Sequence, residues 1–226
     1  MSFTIREERL LQMTFYSIWN DSLDQQNTTE IIHQRLASLA RNEHMIKELL
    51  SIVTYRRRHL TTIGQPNKLT FDCPLEVHCH YTRDQLCAAM DMLKPTTLRQ
   101  GVYFHKEKHC DIFLITLNKS EKDYSPSTMY QDYSMNQWLF HWESQSTTSD
   151  SSPTAQRYFN HRELNHQILL FVREYSDDAM GKAPYMFLGT ANHISHKGSN
   201  PVSIVWKLDT PIPAQFLNTT NKLVVE

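Results

Sequence analysis

The sequence predicts an α+β protein: a helical N-terminal part, then a β-rich domain forming a curled sheet or partly closed barrel behind one leading amphipathic helix. Three observations carry this expectation. Apolar residues recur at helical spacing through residues 5–60. The pattern changes to that of short strands from Val102 onward. Between the two, Gly64-Gln65-Pro66-Asn67 interrupts the helical pattern with turn-forming residues. The expected division is a helical region over 1–63, a linker over 64–69, a β-rich domain over 70–215 and a tail over 216–226.

Three helices are expected first. Ile5, Leu10, Leu11, Phe15, Ile18 and Trp19 mark one face, Ile31, Ile32, Leu36, Leu39 and Ala40 a second, and Met45, Ile46, Leu49, Leu50 and Val53 a third. Thr29 and Asn42 are suited to cap the second and third, because a short polar side chain can accept from the free N–H groups of a first turn. After an extended segment at Leu69–Val77, Thr82 is placed to cap a helix that turns Leu86, Ala89, Met90 and Leu93 inward, with Pro95 as its stop. Strands are expected at Val102–His105, Asp111–Leu117, Trp138–Glu143, Gln167–Glu174, Tyr185–Ile194 and Ser203–Leu208. The Ser- and Thr-rich stretch Ser144–Thr154 reads as a polar connector.

Composition narrows the function classes. Hydrophobic residues make up 40% of the 226 and charged residues 21%, so the chain can bury a sizeable core rather than remain disordered. The formal net charge of −1 supplies no global basic field, and nucleic acid would have to meet a local patch. No window approaches the eighteen apolar residues of a membrane span. The start lacks the apolar stretch of a secretory leader, and Cys73, Cys79, Cys87 and Cys110 form no C-x-x-C pair, so a reducing cytoplasm with free thiols is expected.

Several chemistries lack their residues. There is no G-x-x-x-x-G-K-[ST] loop to wrap a triphosphate in backbone N–H groups. His105-Lys106-Glu107-Lys108 has its lysine one place too early for an H-x-K nuclease. Leu117-Asn118-Lys119 has leucine where the acid of an acid-x-Lys nuclease would stand. Cys73, His78, Cys79 and His80 are ligand types that zinc accepts, but three are consecutive, and a strand would turn Cys79 away from both histidines. No cofactor, metal site or catalytic residue is therefore assigned, and the chain is read as leaning away from an enzyme.

The stretch from Leu117 to Ile204 is the most suggestive. It places Lys119, Lys122, Arg157, Arg162 and Lys197 beside strand ends, where a curled sheet could gather them at one rim. Trp142, Gln145 and Tyr158 would sit at the centre of that patch, stacking on or hydrogen-bonding an exposed base. Alternating aromatics on a strand are more often core, and that reading stands beside the functional one.

A family resemblance enters here. Tyr81-Thr82-Arg83-Asp84-Gln85-Leu86, Leu117 through Pro126, Leu139 through Ser146, Leu169-Leu170-Phe171-Val172-Arg173-Glu174, Tyr185 through Thr190, and Ser195-His196-Lys197-Gly198 through Leu208 occur in order. They resemble the uncharacterised domain at the C-terminal end of long bacterial superfamily-2 (DEAD/DEAH-type) helicases, many with an N-terminal phospholipase-D-like nuclease domain. The resemblance implies a DNA-processing context such as restriction or phage defence. It brings no catalytic residues, and the helicase and nuclease parts are not in this chain.

Three functions follow as expectations. The first is a non-catalytic accessory module that binds DNA or reads a DNA modification. The second is a protein–protein module that docks a helicase or nuclease subunit, with residues 5–60 as the docking helices. The third is a hydrolase with an unrecognised site among His141, Glu143, His161 and Glu163.

Overall fold

The computed structural model describes residues 3–19, 28–60, 63–92, 98, 101–118, 132–179 and 181–220. The chain divides into two compact units, one made of Met1–Ile63, Asp72–Leu75 and Arg83–Pro95, the other of Gly64–Phe71, Glu76–Thr82 and Thr96–Glu226.

The first unit is helical: α1 (Ile5–Ile18), α2 (Thr28–Ala40), α3 (Glu43–Arg58) and α4 (Arg83–Ala89). A capping box starts α1, with Thr4 accepting from the Glu7 N–H while the Glu7 carboxylate accepts from the Thr4 N–H. Asn42 caps α3 as expected, accepting from the Met45 N–H at 3.1 Å. The second helix begins at Thr28, two residues earlier than a cap at Thr29 implied. α4 buries Leu86, Cys87, Ala88 and Ala89, and Gln85 donates to the Ser17 hydroxyl of α1. Arg9 ties three segments of this unit together: its Nε donates to Asp91 at 2.7 Å and one terminal nitrogen to the Asp72 carbonyl at 2.8 Å.

The amphipathic helix α4, expected to lead the β-rich domain, thus belongs with the helical unit. Residues 64–69 belong with the β-rich unit instead. Gln65 and Val77 exchange backbone hydrogen bonds at 2.8 and 2.9 Å, so this stretch is a paired strand edge rather than a free spacer.

The second unit is built on a mixed eight-stranded sheet. Its members are β1 (His80–Tyr81), β2 (Val102–His105), β3 (Cys110–Thr116), β4 (Tyr133–Ser134), β5 (Leu139–Glu143), β6 (Gln167–Arg173), β9 (Tyr185–Lys197) and β10 (Ser203–Leu208). A separate two-stranded ribbon joins β7 (Asp177–Asp178) to β8 (Gly181–Lys182). The strand order is β2-β3-β6-β9-β10-β5-β4, with β1 also on β9. Among the described residues only β3 and β6 run parallel. The path ends on β2 and β4, so the sheet is open rather than a closed barrel.

The long strand β9 joins two ladders. Its first half pairs with β6 and its second half with β10, and Ala191 is shared by both ladders. Two register shifts bend it, one opposite Leu170/Phe171 and one opposite Val205/Trp206. An extra residue on one strand bends a ladder and increases its twist. At the first shift Gly189 has φ +90, and a Cβ there would lie 3.3 Å from Val77.

The Ser- and Thr-rich connector ends in an unexpected helix, α5 (Pro153–Phe159). Ser152 accepts from the Ala155 N–H, and Pro153 occupies the first turn, where its missing N–H costs nothing. A last helix, α6 (Ala214–Thr220), overlaps the residues expected as a tail, and Phe216 and Leu217 pack against the core. That core centres on Phe113, Phe140, Trp142, Tyr158 and Trp206, with Phe113 and Trp142 stacked at 4.3 Å between centroids.

Replacing Gly189 by alanine should therefore lower stability by about 1–3 kcal/mol, through left-handed strain and contact with Val77. Denaturant unfolding measures it, and an unchanged midpoint would show that the bend needs no glycine.

Candidate functional site

The loop after α5 and the starts of the parallel strands β3 and β6 meet around a buried ion pair. Asp111, fully buried at the start of β3, accepts from Arg157 Nε at 2.7 Å and from a second guanidinium nitrogen at 3.0 Å. The same carboxylate lies 2.7 Å from His166 Nε2, just before β6. The Arg157 guanidinium lies 4.1 Å from the Phe104 ring centroid, so an aromatic face adds to its surroundings. A bidentate, partly enclosed pair is geometrically demanding, and it fixes α5 against the sheet.

From that anchor the turn 160–165 is stapled at its base. The His166 N–H donates to the His161 carbonyl at 2.7 Å, and His161 Nδ1 lies 2.9 Å from the His166 carbonyl. His161 Nε2 accepts from the His193 N–H at 3.2 Å. A ring that donates through Nδ1 and accepts through Nε2 is the neutral tautomer. Burial accordingly pushes the His161 pKa below its ordinary value.

Beside the staple lies an open cleft of about 220 Å³. On its wall Asp209 accepts from the Thr190 hydroxyl at 2.6 Å and from the Asn192 amide at 2.8 Å. The Asn192 amide oxygen in turn accepts from Arg162 Nε at 2.9 Å. This chain of bonds holds the guanidinium by one edge. Its two terminal nitrogens meet no acceptor among the described residues, although each carries donors suited to a pair of anionic oxygens. Gln167 closes the other side, accepting from Thr70 and donating to the Lys68 carbonyl. The Lys68 ammonium donates to the Asp209 main-chain oxygen at 2.9 Å. Lys68 and Arg162 together outweigh the charge of Asp209.

The residues singled out from sequence are dispersed by this geometry. Trp142 and Tyr158 are 5% and 2% exposed, with their rings packed on Phe113, so neither presents a face to a base. Arg157 is spent on Asp111. Gln145 is half-buried, and its carbonyl accepts from the Thr148 N–H. Lys197 is exposed at the end of β9, and Arg162 lines the cleft. Lys119 and Lys122 lie outside the described residues.

The four candidate hydrolase residues do not assemble either. His141 and Glu143 alternate with Phe140 and Trp142 on β5, which puts them on the face away from the core. His161 packs on the other side, against Trp206. Among the described residues no group of three or more His, Cys, Asp or Glu side chains is placed to hold a metal ion.

Sequence reasoning missed Asp111, Asn192 and Asp209. An acid at a strand start reads as an edge residue, and only the contact with Arg157, 46 positions away, reveals it as buried.

Two outcomes follow. Asp111→Asn should lower stability by about 3 kcal/mol or more, because it strands a partly buried guanidinium. Stability should also fall on acidification. His161 and His78 are buried with pKa values below the ordinary 6.5, so the unfolded chain binds the extra protons and folding weakens as pH drops beneath that value. Melting curves at neutral and mildly acidic pH measure this, and a higher melting temperature in acid would contradict it.

No curated protein matches the chain. Among solved structures, the crystal structure of Arabidopsis thaliana SUVH6 in complex with SAM aligns over 95% of this chain at 8% identity, with a TM-score of 0.38. The chain spans 38% of that structure's chain. A likeness so loose bears on neither fold nor function. Residues 75–219, well over half of the sequence, match a family model described as a domain of unknown function, DUF3427, and the chain belongs to that family.

Proposed function

We propose that this chain is a non-catalytic DNA-binding accessory module in which Arg162, at the cleft beside the His161–His166 staple, takes a backbone phosphate. One observation carries the reading: Arg162 lines the cleft and is held through Nε by Asn192, and its terminal nitrogens meet no acceptor among the described residues. An arginine held this way has lost part of its side-chain freedom before binding, so less is lost when two phosphate oxygens engage the fork. Lys68 adds a second cation beside the cleft, and Lys197 a further exposed one on the same unit. A local patch of this kind is compatible with a net charge of −1.

Service in a helicase- or nuclease-type DNA-processing or defence system is the finer part of the proposal, and it rests on the resemblance described above. Reading of a base modification has less support, because Trp142 and Tyr158 are enclosed and Gln145 alone of that central trio keeps some exposure.

The test is fluorescence anisotropy of short single- and double-stranded DNA over a salt series. Arg162→Ala should weaken every DNA and reduce the slope of log affinity against log salt by about one unit, the loss of one phosphate contact. Asn192→Ala should weaken binding less and leave the slope near the parent's, since the guanidinium is freed but not removed. A folded Arg162→Ala protein that binds every DNA with the parent's affinity and slope would end the proposal.

A further inference from the structure

Helix α3 presents a problem that the cleft does not answer. None of its sixteen residues is buried. Leu50 and Val53 are 61% and 62% exposed, Ile52 is 55% exposed and Met45 46%. At 100° per residue Met45, Ile46, Leu49, Leu50, Ile52 and Val53 share one broad stripe. A lone helix of this length is marginal in water, and most helical stability in proteins comes from covering such a stripe. Scattered exposed apolar residues are ordinary, but a contiguous stripe marks an interaction surface.

Charge identifies what covers it. The first half of the helix carries Glu43, Lys47 and Glu48, a net charge of −1 with Lys47 3.9 Å from Glu43, and its end is basic, with Arg56, Arg57 and Arg58. The three arginines are exposed and meet no acceptor among the described residues. A uniformly acidic partner would satisfy them but would face the net negative charge of the first half. The fitting partner is apolar along its middle, acidic opposite the arginines and basic opposite Glu43. An antiparallel copy of α3 has that pattern, and a two-fold axis near Leu50 and Ser51 supplies each complementary contact twice. A parallel copy would set the arginines against one another.

We propose that the protein self-associates through α3, two copies pairing antiparallel about a two-fold axis. The pairing is independent of the cleft. It places the stripe residues against their equivalents and the Arg56–Arg58 turn of one copy against the Glu43–Glu48 turn of the other.

Sedimentation equilibrium of the full chain tests this, with circular dichroism confirming that each variant keeps the parent's helix content. The parent should be a dimer. Val53→Glu, which puts a carboxylate into the stripe, should raise the dimer dissociation constant by about a hundredfold or more. A second pair of variants separates a lost interface from a lost fold. Arg56→Glu/Arg57→Glu/Arg58→Glu makes both ends of α3 acidic, and Glu43→Arg/Glu48→Arg makes both ends basic. Each should be monomeric alone, and an equal mixture should form a heterodimer. A monomeric parent, a dimer indifferent to Val53→Glu, or a mixture that stays monomeric would overturn the proposal.

Discussion

The Asp111–Arg157 pair is the interaction on which the arrangement of the β-rich unit depends. It joins the first residues of β3 to a seven-residue helix that could not stand alone, since helices so short are unstable without tertiary contacts. With α5 fixed, Tyr158 enters the aromatic core and the turn after the helix is delivered to the start of β6. That turn carries His161 inward and Arg162 outward. The pair is internal, yet it decides where the exposed guanidinium stands. The His161–His166 staple and the relay from Thr190 through Asp209 and Asn192 complete the positioning. Hydrogen-bonded support of this kind gives a surface cation a defined direction, which solvated lysines and arginines lack.

Much of the sheet was legible in the amino-acid pattern because strand period and turn chemistry agree there. Val102–His105 and Ser203–Leu208 coincide with β2 and β10. The expected end of β9 at Ile194 falls three residues short of Lys197. Its last turn of sequence is polar and carries no alternation, and a register shift lets it pair with β10 all the same. α5 was hidden for a different reason. Ser152-Pro153 is a sound helix start, but it sits in a run of serines and threonines whose composition reads as loop.

The site was less legible than the fold. Arg157, Tyr158 and Trp142 have the side chains of a nucleic-acid surface, and the structure encloses all or most of each. Their partners are distant in sequence: Asp111 for the arginine, Phe113 for both rings. Periodicity reports local burial, but it cannot report a pairing 46 residues away. Arg162 stays exposed in the turn after α5. Its supporting residues Asn192 and Asp209 lie on β9 and just after β10, and no motif links them in the sequence. The division into units shows the same limit, since α4 and residues 64–69 belong to units opposite to those that chain order suggests.

A held guanidinium with an open fork is the central claim, and the Arg162 Nε–H signal in a nitrogen-edited NMR spectrum addresses it most directly. The account predicts a resolved, slowly exchanging Nε–H in the free protein, lost from the spectrum of Arg162→Ala, that shifts as short DNA is added. An Arg162 Nε–H that exchanges freely with water, or one that stays unmoved when DNA is saturating, would contradict it.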